Sequence, residues 1–171
     1  MDESAERGRQ VRRGPGRDRV VTNLLMRDRA AWTELYQGCG ALYEVTMPAE
    51  KLDLVWSWLH DDAHQVHGIV VRPSRPAGYD SPVGLAHYRP FPRPLHGSTG
   101  CYLDDLFVAP GARGTGAVDA LLEELRARAA LHGWDVVRWI TRESNTRARS
   151  AYDRLAQRTP LLTYDMPPLT D

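Results

Sequence analysis

A glycine-rich loop in the second half of the chain contains the residues best suited to chemistry. Residues 108–116 read Val-Ala-Pro-Gly-Ala-Arg-Gly-Thr-Gly and join an apolar stretch to a long amphipathic one. Where a strand leads into a helix, the first helical N–H groups lack partners and attract anions, and glycine lets a phosphate approach the backbone. Gly111, Gly114 and Gly116 meet that need. The loop therefore predicts a phosphate-binding site.

Two common nucleotide-binding loops do not fit this segment. A Walker A loop ends in Gly-Lys-Ser/Thr, which the segment lacks, and the dinucleotide-binding fingerprint needs a further glycine where the chain has Asp119. A glycine turn with a purely structural role stays open at this point.

A second group of residues lies downstream of the loop. Asn145, Ala148 and Tyr152 recur at steps of three and four, so on a helix they share one face. An amide, a small side chain and a phenol would then line the same groove. Packing of Tyr152 in a core is the structural alternative.

Two adjacent aspartates precede the glycine loop. An alkylamine with a pKa of roughly 10.4 is protonated at neutral pH, and a carboxylate can attract it and assist its deprotonation. Asp104 and Asp105 are neighbours on a predicted strand, so we expect them to point to opposite faces. Only one of them would then face a reaction site.

Together these features resemble the GNAT superfamily of acetyl-CoA-dependent N-acetyltransferases, in its polyamine/histone-type branch. The superfamily loop reads Arg/Gln-x-x-Gly-x-Gly/Ala, and Arg113, Gly116 and Val118 occupy its defined places, Val118 departing from the usual Gly or Ala. The resemblance implies acetyl-CoA as the acetyl donor. The residues implied to bind it are Leu106, Phe107, Val108, Arg113, Gly114, Thr115, Gly116, Ala117, Val118, Asn145, Ala148 and Tyr152.

The resemblance also implies direct transfer, in a ternary complex, to a primary amine of a small cationic acceptor. Tyr152 would protonate the leaving thiolate, and Asp104 would assist deprotonation of the amine while Asp105 is structural. The backbone N–H of Leu106 would hold the carbonyl oxygen of the acetyl group. No covalent acetyl-enzyme is expected.

The acceptor pocket is expected beside Asp104, with Trp32, Tyr36 and His87 as candidate walls. Tyr43 is a further candidate, and core packing explains Trp32, Tyr36 and Tyr43 equally well, while a packed or surface position is the commoner outcome for a histidine such as His87. A polyamine, an amino acid, an amino-bearing antibiotic and a protein lysine all stay open as acceptors. A catalytically weak CoA-binding sensor or scaffold is the alternative function.

These residues need a mixed α/β domain to position them. Apolar periodicity predicts strands at residues 20–25, 67–72, 82–89, 101–108, 136–141 and 161–164, and helices at 30–41, 48–59, 114–131 and 145–156. The resemblance implies a mostly antiparallel sheet of six or seven strands with a splayed parallel central pair, flanked by about four helices. We expect residues 1–18 to be a disordered, arginine-rich tail and residues 19–171 a single acetyltransferase domain.

Composition excludes several other classes of protein. The formal net charge is zero, which disfavours binding to nucleic acid or an anionic membrane, although the arginine tail is a possible nucleic-acid arm. Two cysteines and six histidines show no metal-binding spacing, so no metal is expected. No apolar run reaches membrane-spanning length. We expect a cytoplasmic protein and, by the resemblance, a homodimer.

Overall fold

The structure is a computed structural model that describes residues 12–13, 19–74 and 81–169. The chain forms two compact units, Met1–Ile140 and Thr141–Asp171. The expected tail at residues 1–18 lies outside the described residues, apart from one two-residue strand.

The first unit contains one mixed sheet. Its strands are β1 (Arg12–Arg13), β2 (Arg19–Asn23), β3 (His67–Pro73), β4 (Gly84–Arg93), β5 (Ser98–Val108) and β6 (Val137–Arg138). They lie side by side in chain order, and every neighbouring pair is antiparallel except β5 and β6, which are parallel. The predicted mixed, mostly antiparallel fold is confirmed.

The parallel pair is short. Cys101 lies opposite Val137 and Tyr102 opposite Arg138, where β6 ends. The predicted strand at residues 136–141 is therefore shorter than expected. Because β5 continues to Val108, its last six residues run beyond the end of β6.

Helices α1 (Arg29–Tyr43) and α2 (Ala49–Trp58) cover one face of the sheet. Glu44 adopts a left-handed conformation and ends α1, while Pro48 precedes α2. The buried side chains between these helices and the sheet include Leu24, Trp32, Leu35, Cys39, Leu52, Trp56, Val70, Leu85 and Phe107. This core fixes α1 against β4 and β5.

Helix α3 (Ala117–Leu131) packs on the opposite face. Neighbouring residues of β4 show the two faces, because His87 bonds to Trp32 of α1 while Tyr88 accepts a hydrogen bond from Arg128 of α3. Arg128 also pairs with Glu124 one turn earlier. The helix starts three residues later than predicted, after the glycine loop.

The second unit contains α4 (Thr146–Leu155), close to its predicted bounds. The predicted strand at residues 161–164 is wrong, since residues 159–169 form no helix or strand. Leu161, Leu162 and Tyr164 are 68%, 77% and 85% exposed. Apolar, β-prone residues form a strand only where a neighbouring strand pairs with them, and no such partner occurs here among the described residues.

Candidate active site

Strands β4 and β5 change register beside the two aspartates. His87 lies opposite Asp105, while the next residue of β4, Tyr88, lies opposite Leu103. Asp104 is therefore an extra residue in β5, which makes a β-bulge. A bulge interrupts the regular alternation of side chains along a strand.

The bulge brings both carboxylates to the face covered by α1. Asp104 pairs with Arg89 at 3.2 Å, and Asp105 bonds to His87 at 2.9 Å. Arg89 and His87 are two residues apart on β4, so their side chains share a face, and His87 meets Trp32 of α1 on that face. The prediction that the aspartates point to opposite faces is wrong because it assumed a regular strand.

Asp105 is the centre of a hydrogen-bonded cluster, which we call the acceptor-side cluster: Trp32, Tyr36, His87, Arg89, Asp104 and Asp105. The Tyr36 hydroxyl donates to Asp105 Oδ2 at 3.1 Å, and His87 Nδ1 lies 2.9 Å from the same oxygen. On its other side, His87 Nε2 accepts from the Trp32 indole N–H at 2.9 Å. The predicted pocket residues are thus brought together, but around Asp105 as well as Asp104.

The two carboxylates differ in acidity. Burial works to raise the pKa of Asp105, but the hydrogen bond and electrostatic attraction of His87, together with the hydrogen bond from Tyr36, outweigh it, so that pKa lies below its ordinary value. At Asp104, burial and the charge of Asp105 outweigh Arg89, and the pKa is raised. Neighbouring groups with oppositely shifted pKa values suit different tasks, one as a fixed charge and the other as a proton acceptor.

The Tyr36 phenol and the two cysteine thiols of this part of the fold stay protonated. Burial raises the pKa of the Tyr36 hydroxyl, and the charge of Asp105 adds to that effect. Burial, with the same charge, raises the pKa of the Cys39 thiol to about 12. Cys101, buried on β5, likewise has a pKa raised to about 12 by burial. Neither thiol has the thiolate character that a nucleophilic cysteine needs.

The glycine loop presents backbone rather than side chains. Gly114 and Gly116 have φ of 77° and 81°, in the left-handed region that glycine favours. Gly116 precedes α3 with no side-chain cap, and the first backbone bond of the helix runs from Ala120 N–H to Gly116 C=O. The N–H groups of the first turn therefore have no intrahelical acceptor.

Open space lies over this loop. A Cβ added at Gly111 or at Gly114 would meet no atom within 4 Å. A charged phosphate at this position would meet uncapped amides at the positive end of a helix of fifteen residues. The loop thus has room and backbone donors for a phosphate group.

Side chains stabilise the loop from within. Arg113 Nε donates to the carbonyl of Val108 at 3.1 Å, and its guanidinium lies 5.7 Å from the ring of Phe107. The Thr115 hydroxyl donates to the Ala112 carbonyl at 2.5 Å. These contacts hold the turn between β5 and α3 in shape.

The side chains of three predicted CoA-binding residues are in the core. Phe107, Val108 and Ala117 are 6%, 5% and 1% exposed, so their side chains are not available to a ligand. Leu106 and Val118 are half-buried. The predicted residues 113–118 lie at the end of the glycine loop and the start of α3, four residues after β5 ends.

Helix α4 carries the downstream residues. Asn145 is its N-cap, with Oδ1 accepting from the Ala148 N–H at 3.3 Å. Ala148 and Tyr152 are half-buried and lie one turn apart on the same helical face. The function predicted for Tyr152 near the thioester sulfur stays a prediction.

Sequence reasoning missed the roles of Arg89 and Asp105. The bulge that unites them with Asp104 is a property of strand pairing, which the local residue pattern does not encode. The choice of His87 as a pocket residue near the aspartates was the one sign in the sequence of this arrangement.

Two other kinds of site are absent from the part of the chain that the structure describes. Within residues 19–74 and 81–169, no cluster of three or more His, Cys, Asp or Glu is arranged to hold a metal ion. None of the helices in the described part of the chain is both long and apolar enough to cross a membrane.

Comparison with known proteins identifies relatives of the whole domain. D-amino-acid N-acetyltransferase HPA3 of Saccharomyces cerevisiae is 26% identical over 148 residues, covering 86% of this chain and 90% of the yeast protein. A ribosomal-protein-alanine N-acetyltransferase from Brucella melitensis biovar Abortus 2308 matches with a TM-score of 0.70 at 17% identity, over 87% of this chain and 98% of that one.

Another solved structure is AAC(6')-Iy in complex with the bisubstrate analogue CoA-S-monomethyl-acetylneamine. It matches with a TM-score of 0.72 at 13% identity, over 88% of this chain and 99% of that one. The likeness to both structures is one of fold. The model of the acetyltransferase (GNAT) family matches residues 29–156, most of the sequence, so the chain belongs to that family and is an acetyltransferase.

Proposed function

We propose that this protein transfers the acetyl group of acetyl-CoA to a primary amine of a small cationic acceptor, by direct attack in a ternary complex. The observation that carries the proposal is the presence of two carboxylates, Asp104 and Asp105, on one sheet face beside the aromatic side chains of α1. Both carboxylates retain solvent access, at 31% and 30% side-chain exposure.

The glycine loop and α3 would bind the donor. The amides of Gly114, Gly116 and Val118 are suited to the pyrophosphate, because no side chain caps the helix and open space lies over the loop. Backbone groups of Leu106 and Val108, past the end of β6, would pair with the pantetheine arm. The resemblance to the family adds Asn145 and Ala148 to the residues proposed to bind the donor.

The acceptor-side cluster would bind the amine. Asp104 and Asp105 supply two negative charges and Arg89 one positive charge, which leaves an excess of one negative charge on a half-buried face. An ammonium group compensates that charge, and Tyr36 provides an apolar wall at its side. The lowered pKa of Asp105 suits it to remain charged and hold the ammonium.

The reaction then needs three proton transfers. Asp104, whose pKa is raised, first takes a proton from the bound ammonium, directly or through water, so that the neutral amine can attack the thioester carbonyl. A C–N bond forms and the C–S bond breaks, the nitrogen loses its second proton to water, and Tyr152 would give a proton to the departing thiolate and regain one from solvent. The Leu106 N–H would hold the negative charge that develops on the carbonyl oxygen.

Relatives support an amine acceptor without fixing its identity. The yeast relative is named as acting on D-amino acids, and a structural neighbour carries an acetylated aminoglycoside in its bisubstrate analogue. The proposed acceptor class here is a small amine with a net positive charge, in line with the charge excess of the cluster. A homodimer, by analogy with the family, is proposed for the assembly.

The test has two stages. Calorimetric titration with acetyl-CoA measures donor binding, and release of free CoA thiol is then followed with polyamines, amino acids, aminoglycosides and a lysine peptide. The proposal predicts donor binding and thiol release that depends on a cationic small amine. Binding without release on any amine would favour a CoA sensor, and release only on the peptide would favour a protein acetyltransferase.

A further inference from the structure

The hydrogen-bonded chain from Trp32 to Asp105 determines the protonation of His87. An indole N–H is a donor and has no acceptor atom, so the His87 Nε2 that lies 2.9 Å from it must offer a lone pair. A ring nitrogen that accepts a hydrogen bond carries no proton. The ring proton is therefore on Nδ1, where it is donated to Asp105 Oδ2 at 2.9 Å. His87 is thus a neutral imidazole with one defined tautomer.

The surroundings make a change of tautomer costly. His87 is 2% exposed and Trp32 is fully buried, so water cannot replace the indole as a partner of Nε2. The ring of Tyr36 lies edge-on to His87 at 4.8 Å and closes another side. Protonation of Nε2 would set an N–H against an N–H inside the core, and a buried unpaired donor is unfavourable.

A neutral His87 leaves the charge of Asp105 uncompensated. The titratable and charged groups that face Asp105 are Tyr36 and Cys39 from α1, Arg89 from β4 and Asp104 from β5. Tyr36 and Cys39 are neutral, and Arg89 is paired with Asp104.

We propose that Trp32 is a positioning residue that keeps His87 neutral, so that Asp105 retains its full negative charge for the ammonium group of the acceptor. The inference rests on the proposed function for its ligand, but its first step concerns the protein alone. If His87 were free to ionise, it would form a buried ion pair with Asp105 at acidic pH. The acceptor would then compete with an internal cation.

The first experiment measures the tautomer without any substrate. Protein labelled with 15N at histidine is examined by NMR from pH 5.5 to pH 8, and His87 is assigned with a His87→Gln variant. The expected spectrum shows a protonated Nδ1 and an unprotonated Nε2 for His87 throughout. A proton on Nε2, or titration of His87 near its ordinary pKa of about 6.5, would overturn the inference whether or not the protein acetylates amines.

The second experiment compares two core tryptophans. Trp56 packs 5.0 Å from Trp32 and is also buried, so Trp56→Phe imitates the lost volume of Trp32→Phe while leaving the indole donor to His87 in place. The KM of the acceptor is measured at pH 8 and at pH 5.5 for both variants. Any effect of Asp104 titration on the acceptor KM is the same in both variants, so it cancels when the two are compared.

Trp32→Phe is expected to raise the acceptor KM by about tenfold more than Trp56→Phe on going to pH 5.5, which corresponds to about 1.4 kcal/mol. The KM of acetyl-CoA should change equally in the two variants. Equal responses of the acceptor KM would contradict the inference.

If Trp32→Phe does not fold, His87→Gln replaces it. Its amide is able to donate to Asp105 and accept from Trp32 but does not ionise, so its acceptor KM should respond to pH as in Trp56→Phe. A much steeper response would contradict the inference. Absence of acetyl transfer with every amine would refute the proposed function, and the NMR result would still decide the tautomer.

Discussion

The two halves of the candidate site are built from different material. The glycine loop at residues 109–116 offers backbone amides and open space, and its side chains mainly brace the turn. The acceptor-side cluster offers charged and aromatic side chains from α1, β4 and β5, joined by hydrogen bonds. A site made of backbone suits the proposed donor, whose phosphate groups are always the same. A site made of side chains selects the proposed acceptor by its charge and shape.

The same contrast recurs between the two aspartates of the cluster. Asp104 has a raised pKa and an arginine partner, whereas Asp105 has a lowered pKa and accepts hydrogen bonds from His87 and Tyr36. One is suited to exchange a proton and the other to hold a charge. Substitutions that preserve size but remove charge separate these roles.

The largest effect is expected from Asp104→Asn. Loss of the proton acceptor should lower kcat by about 100-fold, at the low end of what general bases contribute, while the acceptor KM changes little. The matched variant Asp105→Asn should instead raise the acceptor KM by about tenfold, with the smaller change in kcat. Steady-state kinetics with the acceptor varied at saturating acetyl-CoA measures both. The reverse pattern would exchange the two roles.

A smaller loss is expected from Tyr152→Phe. Removal of the proposed acid should lower kcat by roughly 10- to 100-fold, since the phenyl ring keeps the packing but cannot protonate the thiolate. Calorimetric affinity for acetyl-CoA should stay nearly intact. Unchanged turnover would remove Tyr152 from the mechanism.

Gly114→Val tests the backbone half of the site. A β-branched residue at φ 77° carries strain of about 1–3 kcal/mol, which should distort the loop and weaken acetyl-CoA binding by about tenfold. Gly97→Val is the matched control, because Gly97 has φ 59° in the turn between β4 and β5 and its Cβ would also meet open space. Equal losses of affinity in the two variants would mean a general effect of strain.

The smallest effect concerns stability. Asp105 has a lowered folded pKa, so its ionised form stabilises the fold above the unfolded pKa of about 3.9, and this contribution is lost as pH falls through the folded value. At Asp104 the folded pKa is raised, so the ionised form of this carboxylate destabilises the fold. At pH 7 the Tm should fall slightly in Asp105→Asn and rise slightly in Asp104→Asn.

Both differences should disappear on acidification. Below the folded pKa of Asp105, both carboxyl groups of the wild type are protonated, and so is the one that remains in each variant. The three proteins should therefore melt at similar temperatures. Thermal unfolding followed by circular dichroism at several pH values measures this. A Tm shift of the same sign in the two variants at pH 7 would contradict the opposed pKa shifts.

Sequence reasoning succeeded where structure follows from local pattern. The glycine loop, the order of strands and helices, and the helix carrying Tyr152 follow from periodicity, capping and turn chemistry within short windows. The residues of the loop therefore lie together as predicted.

Sequence reasoning failed where the structure depends on pairing between distant segments of the chain. The bulge at Asp104 arises from the register between β4 and β5, and the strand expected at residues 161–164 lacks a partner among the described residues. Trp32 and His87 lie in the core beside Asp105, and their predicted place in the acceptor pocket stays a prediction. The bond from Trp32 to His87 and the bond from His87 to Asp105 join residues 55 and 18 positions apart, and a local sequence pattern does not encode such contacts.

The most direct test of the account is acceptor-dependent release of CoA thiol, measured at saturating acetyl-CoA with a small cationic amine for the wild type and for Asp104→Asn and Asp105→Asn. We expect release by the wild type, a kcat loss in Asp104→Asn and an acceptor KM increase in Asp105→Asn. Release that is unaffected by either substitution would contradict it, because the amine would then react away from the acceptor-side cluster.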